Sequence, residues 1–267
     1  MKYSMMDFDL SDDYVSRVNK YLEEGLSNGN VVKVGNHYFD LKSLSIPVNL
    51  DCLNCEKVCD INCCGGAPYP PQQESLEFIK KHFDEIFSDP NVGDPDDRVK
   101  LNKLLMEKNF TVNFGNRRWQ PGAIKKTKGM ETFPIVHENG CIFNVKDGDK
   151  HKCAIHAHCL TCGINPIEKK PIYCSMYPLC SIDINDESKF IFCILDKDIT
   201  FNMWQGIDFS VRPCFNKGLL TDPNREYFKD EDYKTAFESS YNSVVYLLKD
   251  EEVPKQVLSI LKERNNE

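Results

Sequence analysis

Hydrophobic residues recur along this chain at two spacings, and the chain alternates between them in a readable order. Between residues 11 and 28, Val15, Val18, Leu22 and Leu26 share one helical face. Ser11 stands where an N-cap belongs, Asp12 and Asp13 suit the positive first turn, and Gly29 supplies a stop. Val31 to Phe39 then reads as a short hairpin around Gly35-Asn36, with His37 beyond the turn as an ordinary surface or core histidine. Helical spacing returns over 72–88, where Leu76, Ile79, Phe83 and Ile86 form the apolar face, His82 borders it, and Ser88-Asp89-Pro90 ends it. A surface loop over 89–97 and a further helix over about 96–108, carrying Val99, Leu101, Leu104 and Leu105, complete an insertion.

The second half starts with short strands. Thr111–Phe114 and Gly140–Val145 are the best strand segments between 110 and 150, and Lys146-Asp147-Gly148-Asp149 is a turn signal. Leu179–Ile184 and Lys189–Leu195, joined by Asn185-Asp186-Glu187-Ser188, predict a hairpin. Two helices close the chain, one over about 230–249 with Tyr233, Phe237, Tyr241, Val244, Val245 and Leu248 inward, another over about 253–264 with Val257, Ile260 and Leu261. The pattern predicts an α+β fold in which a loop-rich core with short strands is flanked by helices. It divides the chain into residues 1–50 (helix and hairpin), 51–215 (cysteine-rich, with a helical insertion near 72–108) and 216–267 (terminal helices packed on the same domain).

Composition changes this picture little. A chain of 267 residues, 41% hydrophobic and 28% charged, can bury a sizeable core without cross-links. The net charge of 33 − 41 = −8 argues against a phosphate-binding surface, and the basic run Lys125-Lys126-Thr127-Lys128 after Arg117-Arg118-Trp119 reads as a solvated loop. No nucleic-acid partner is expected. The N-terminal residues turn acidic at once, and no apolar run approaches the ~20 residues that span a bilayer, so a cytoplasmic protein without a membrane partner is expected.

The thirteen cysteines change it a great deal. Cys52-Leu-Asn-Cys55-Glu-Lys-Val-Cys59-Asp-Ile-Asn-Cys63-Cys64-Gly-Gly packs five of them into one short run. Its glycines and the Pro68-Tyr69-Pro70-Pro71 segment forbid a long regular element, so a loop shaped by something other than secondary structure is expected. A second run holds Cys153, His156, His158, Cys159 and Cys162, followed by Cys174 and Cys180. In a reducing compartment such clusters bind metal more often than they form disulfides. The Cys-x2-Cys turns at Cys52–Cys55 and Cys159–Cys162 aim two thiolates one way, as a tetrahedral zinc site needs.

Spacing does not name the metal. Ferredoxin-type runs have x2, x2, x3 intervals, whereas this chain has x2, x3, x3, a loose match. A radical-SAM loop is not matched after Cys55-x3-Cys59. Cys159–Cys162 sits within or at the end of a short helix rather than opening one, which disfavours a thioredoxin-type pair. The vicinal Cys63-Cys64 either divides into one ligand and one packing thiol or touches two neighbouring ions. His156 and His158 are equally loop histidines or ligands, and Cys193, inside Phe190-Ile-Phe-Cys-Ile194, reads as an inert core thiol. No hydrolase, Walker or dinucleotide motif is present.

Taken together, Cys59-Asp-Ile-Asn-Cys63-Cys64, Gly140-Cys-Ile-Phe143, Cys153-Ala-Ile-His156 and Lys170-Pro-Ile-Tyr-Cys-Ser-Met-Tyr-Pro-Leu179 resemble the YkgJ-like cysteine-cluster family of zinc- or iron-chelating domains. The nearest form is a bacterial variant with a Lys-Pro-Ile-x-Cys-x-x-Tyr-Pro segment. The resemblance spans about residues 52–214. It implies that Cys55, Cys59, Cys63, Cys64, Cys141, Cys153, Cys174 and Cys214 bind metal. It implies one or two zinc or iron ions, an iron–sulfur cluster among the options. The alternative is an iron- or iron–sulfur-dependent redox or protein-modifying enzyme, and a protein partner stays open. Cys52, Cys159, Cys162 and Cys180 fall outside the family-like pattern.

Overall fold

A computed structural model describes residues 2–5, 8–51, 54–59, 73–88, 136–137, 140–141, 143–147, 150–185, 189–194 and 209–265. The fold is α+β. Two short antiparallel strands, β1 (Tyr3–Met5) and β2 (Phe8–Asp9), lead into helix α1 (Asp12–Ser27). The helix buries Tyr14, Val18 and Leu22, while Leu26, at the end of the same stripe, is 46% exposed. Strands β3 (Val31–Val34) and β4 (His37–Asp40) make the expected hairpin, with Gly35 at φ +58° in the turn. His37 is a sheet residue, as expected. Its Nδ1 accepts the Phe190 N–H (3.3 Å) and its ring stacks on Phe190.

Strand β4 runs directly into α2 (Leu41–Leu44), capped by the Asp40 carboxylate, which accepts the Ser43 N–H at 3.3 Å. After β5 (Pro47–Val48), residues Cys55–Val58 form one helical turn, α3, so the first cysteine run is not loop throughout. The helix expected over 72–88 is bent into α4 (Gln73–Lys81) and α5 (Phe83–Ser88) at His82. Backbone bonding continues through the bend, from His82 N–H to Phe78 O (3.0 Å) and from Ile86 N–H to His82 O (2.8 Å). The expected 89–97 loop, the 96–108 helix, the 111–114 strand and the 117–128 basic segment lie outside the described residues.

Two small ladders follow, β6 (Val136–His137) with β7 (Gly140–Cys141) and β8 (Asn144–Asp147) with β9 (Lys150–Cys153). The strand expected over 140–145 is therefore interrupted at Phe143, whose side chain is buried and whose carbonyl accepts the Ala154 N–H at 2.7 Å. The turn expected over 146–149 tightens, because Lys146 and Asp147 are ladder residues and Asp147 faces Lys150. Three short helices, α6 (Ala154–Thr161), α7 (Pro166–Lys169) and α8 (Ile172–Met176), lead to the expected hairpin β10 (Leu179–Ile184) and β11 (Lys189–Ile194).

The central sheet has six strands in the order β2-β1-β10-β11-β4-β3. Its pairings are antiparallel except β11 with β4, which align Ile191 with Tyr38 and Phe192 with Phe39 in parallel. Strands from the first fifty residues and from 179–194 are thus interleaved. Residues 209–232 are mostly 3₁₀ turns, and β12 (Lys234–Thr235) pairs with β5. Thr235 and Glu238 then form a capping box that starts α9 (Ala236–Leu248). The helix expected from 230 therefore starts later, leaving Tyr233 outside it. Helix α10 (Glu252–Asn265) closes the described chain.

Two buried cores result. The main one joins the sheet to α1, α9 and α10, with Phe39 stacked on Phe192 (centroids 5.0 Å apart) and met edge-on by Phe237 (6.1 Å). The smaller one packs Leu76, Ile79, Phe83 and Ile86 against Phe143 and Ile155. Among the described residues, no helix is long and apolar enough to cross a membrane.

Candidate metal centre

The described cysteines fall into three groups. The first contains Cys59, Cys214 and Cys174. Cys59 ends the turn of α3 and is 3% exposed, and Cys214 lies in the 3₁₀ turn Pro213–Phe215 and is 4% exposed. The two segments are packed together. The Tyr233 hydroxyl is pushed above its ordinary pKa by burial first, then by the Cys214 and Cys59 thiols. That hydroxyl donates to the Pro213 carbonyl (2.5 Å).

Local pairing explains why these segments meet. The ladder sets Val48 opposite Lys234, so the flanking Asn49 and Tyr233 emerge at the same end of the β5–β12 pair. Asn49 donates its N–H to the Cys214 carbonyl at 2.8 Å, and its Oδ1 accepts the Asp51 N–H at 3.2 Å. Its Nδ2 is buried with no hydrogen-bond partner among the described residues. A buried donor of this kind is unusual unless something accepts from it.

Cys174 sits half-buried in α8, against the main core. Pro171 precedes this helix, and the Cys174 N–H donates to its carbonyl at 2.9 Å. One turn on, Tyr177 meets Phe215 edge-to-face with centroids 6.2 Å apart, tying the Cys174 segment to the Cys214 turn. Helix α9 holds the same segment from the other side, since Ser243 Oγ donates to Ser175 O (2.7 Å) and Ser240 Oγ to Met176 O (2.8 Å).

The second group lies in the smaller core. Cys153 caps α6, Cys159 is fully buried within it, and Cys162 is its exposed C-cap. Burial, with the neighbouring Cys153 and Cys162 thiols, pushes the Cys159 thiol up to about 11. His158, 5% exposed, has its Nε2 3.7 Å from Cys162 Sγ, whereas His156 is exposed. The structure also places His82 and Glu85, absent from the expected ligands, beside His158. Their signal was a His-x2-Glu spacing, which puts both side chains on one helix face.

The third group is Cys180 and Cys193, fully buried in the central sheet within the same main core that takes in Cys59 and Cys214. Cys153, Cys159, Cys162, Cys180 and Cys193 all carry free thiols. Of the remaining expected ligands, Cys55 is in α3 and Cys141 in β7 by backbone, and Cys63 and Cys64 lie outside the described residues. The structure thus packs the α3 turn before Cys59 on the Cys214 turn, ties the Cys174 segment to that turn through Tyr177 and Phe215, and sets Cys153, Cys159 and Cys162 in and beside α6. Among the described residues no three cysteines bring their sulfur atoms within 4.8 Å of one another.

Comparison of the chain with protein-family models, curated proteins and solved structures gives no match. The resemblance to the YkgJ-like family therefore stands on its motifs alone.

Proposed function

We propose that this chain is a cytosolic metal-binding protein that holds zinc or iron through clustered cysteines, with Cys59, Cys174 and Cys214 among the ligands. The observation that carries this reading is the packing of the α3 turn that leads to Cys59 against the Pro213–Phe215 turn that holds Cys214, two segments from distant parts of the chain. The donor set suits a soft or borderline cation, for which thiolate is the preferred protein ligand. The unpartnered Asn49 Nδ2, on the residue whose N–H holds the Cys214 carbonyl, leaves a buried donor free for a further acceptor there. Pro171 and the Tyr177–Phe215 contact would orient Cys174, while Tyr233 would cover the thiols and exclude water. A bound ion would cross-link segments that secondary structure alone leaves unconnected, and structural zinc contributes about 10–16 kcal/mol of apparent binding energy in finger peptides. Free thiols elsewhere suit a reducing compartment, and the net charge of −8 suits a partner other than nucleic acid.

Anaerobic purification of the full chain, with elemental analysis and a visible spectrum, tests this. Stoichiometric zinc or iron, reduced in Cys59→Ser and Cys214→Ser, is expected. A metal-free protein whose thermal stability ignores both chelator and added metal overturns the proposal. Colour with iron would select the iron–sulfur form, and colourless protein with zinc would exclude it.

A further inference from the structure

The bend between α4 and α5 places a second kind of donor set beside α6. Nitrogen and oxygen atoms of His82, Glu85 and His158 all lie within 4.8 Å of one another. His82 Nδ1 is 2.5 Å from Glu85 Oε2, and the same carboxylate oxygen is 3.9 Å from His158 Nε2. The two imidazole centroids are 5.8 Å apart. His82 and Glu85 come from consecutive turns of one helical segment, and His158 comes from a helix reached only through tertiary packing.

The burial is uneven in an informative way. Glu85 faces solvent with 63% of its side chain exposed, His82 is 23% exposed, and His158 is 6% exposed. Phe78 walls one side, its ring centroid 4.7 Å from His82 and 6.2 Å from His158. His158 is thus a buried imidazole with no short hydrogen bond to either ring nitrogen among the described residues. Its nearest polar neighbours are the Cys162 sulfur, 3.7 Å from Nε2 and 4.0 Å from Nδ1, and the Glu85 oxygen. A thiol is a weak hydrogen-bond partner, so the His158 ring nitrogen keeps a lone pair that a cation can take. A positively charged partner suits a site that presents a carboxylate and two lone-pair nitrogens. Two lysines lie nearby: Lys169 is over the Phe78 ring at 5.8 Å, and Lys81 acts on Glu85.

We propose that His82, Glu85 and His158 form a site for a zinc-class divalent cation, distinct from the thiolate centre and sharing no residue with it. Two imidazoles and one carboxylate are a recognised zinc donor set, with zinc–nitrogen and zinc–oxygen distances of about 2.0–2.2 Å. A tetrahedral ion at those lengths spaces its ligand atoms about 3.4 Å apart. The cation therefore draws Glu85 and His158 together by about half an ångström and opens the His82–Glu85 contact. Cys162 Sγ is the nearest further donor. Occupancy clamps α5 to α6 across the smaller core, next to Cys159.

The test is a zinc titration of the full chain under reducing conditions, with competing chelator and the histidine ring nitrogens followed by long-range ¹H–¹⁵N spectra. Wild type is expected to bind one zinc equivalent that shifts the His82 and His158 resonances. Glu85→Gln and His82→Ala, at exposed or partly exposed positions that leave the core intact, are expected to weaken that equivalent by more than about tenfold. The same equivalent is expected to survive Cys59→Ser/Cys214→Ser, which separates this proposal from the thiolate reading. Unshifted histidine resonances at saturating zinc, or unchanged affinity in both Glu85→Gln and His82→Ala, overturn it.

Discussion

Cys180 and Cys193 face each other across the antiparallel pair β10–β11, with their sulfur atoms 3.3 Å apart and both residues fully buried. Beneath them the Tyr21 hydroxyl donates to the Asp40 carboxylate. Hydrogen bonding to Cys180 and then burial push the Cys193 thiol well above its ordinary 9.0, and burial does the same to Tyr21 above 10.0. Both groups hold their protons more tightly folded than unfolded. Their contribution is fully present below the unfolded values and is lost as the pH rises through that range toward the folded ones. Chemical denaturation at neutral pH and at pH about 9 to 10.5 should show a falling midpoint. A flat profile would contradict the assignment.

The same burial sets thiol reactivity, because the thiolate is the nucleophile. Native-state alkylation followed by peptide mapping should, among the cysteines of described exposure, label the exposed Cys162 first, and Cys180 and Cys193 only on unfolding. Early labelling of Cys193 would show that the central sheet opens locally.

Asp40 ties three elements together. It ends β4, caps α2 through the Ser43 N–H, and accepts from Tyr21 on α1. Asp40→Ala should cost about 1–3 kcal/mol, from the lost cap and the Tyr21 hydroxyl left unpaired. Tyr21→Phe in that background should recover part of the loss in equilibrium denaturation, since it removes the orphaned hydroxyl.

Helix propensity alone says that Gly25→Ala should stabilise α1. The fold reverses the sign, because a Cβ there would lie 2.4 Å from Val31 Cγ2. Gly25→Ala should lower stability by about 1–3 kcal/mol. Val31→Ala should be less harmful in the Gly25→Ala protein than in wild type. Additive effects in thermal denaturation would show that the contact relaxes freely.

The seat of the Cys174 segment depends on two buried hydroxyls. Ser240→Ala and Ser243→Ala each remove the donor to an α8 carbonyl and should cost about 1–3 kcal/mol. Their effect should be greater than that of Ser259→Ala, whose exposed hydroxyl bonds within its own helix. Equal midpoints for all three variants would mean that α8 is held by packing alone.

What the sequence by itself determined was local. The stripe of Val18 and Leu22, the Gly35 turn and the hairpin over 179–194 were legible because periodicity records which face is buried and turn chemistry records where the chain reverses. The richness in cysteine was equally plain, and with it an expectation of metal. Tertiary structure decided which elements meet. The parallel match of Ile191 with Tyr38 joins strands far apart in the chain, and no local pattern encodes it. Val48 opposite Lys234 fixes where Tyr233 leaves the helix pattern, and the packing of α3 on the Pro213–Phe215 turn sets Cys59 and Cys214 on neighbouring segments. The bend at His82 and the packing of α5 on α6 set Glu85 beside His158. A spacing rule reports that donors exist along one segment. Whether donors from different segments share a point depends on long-range packing.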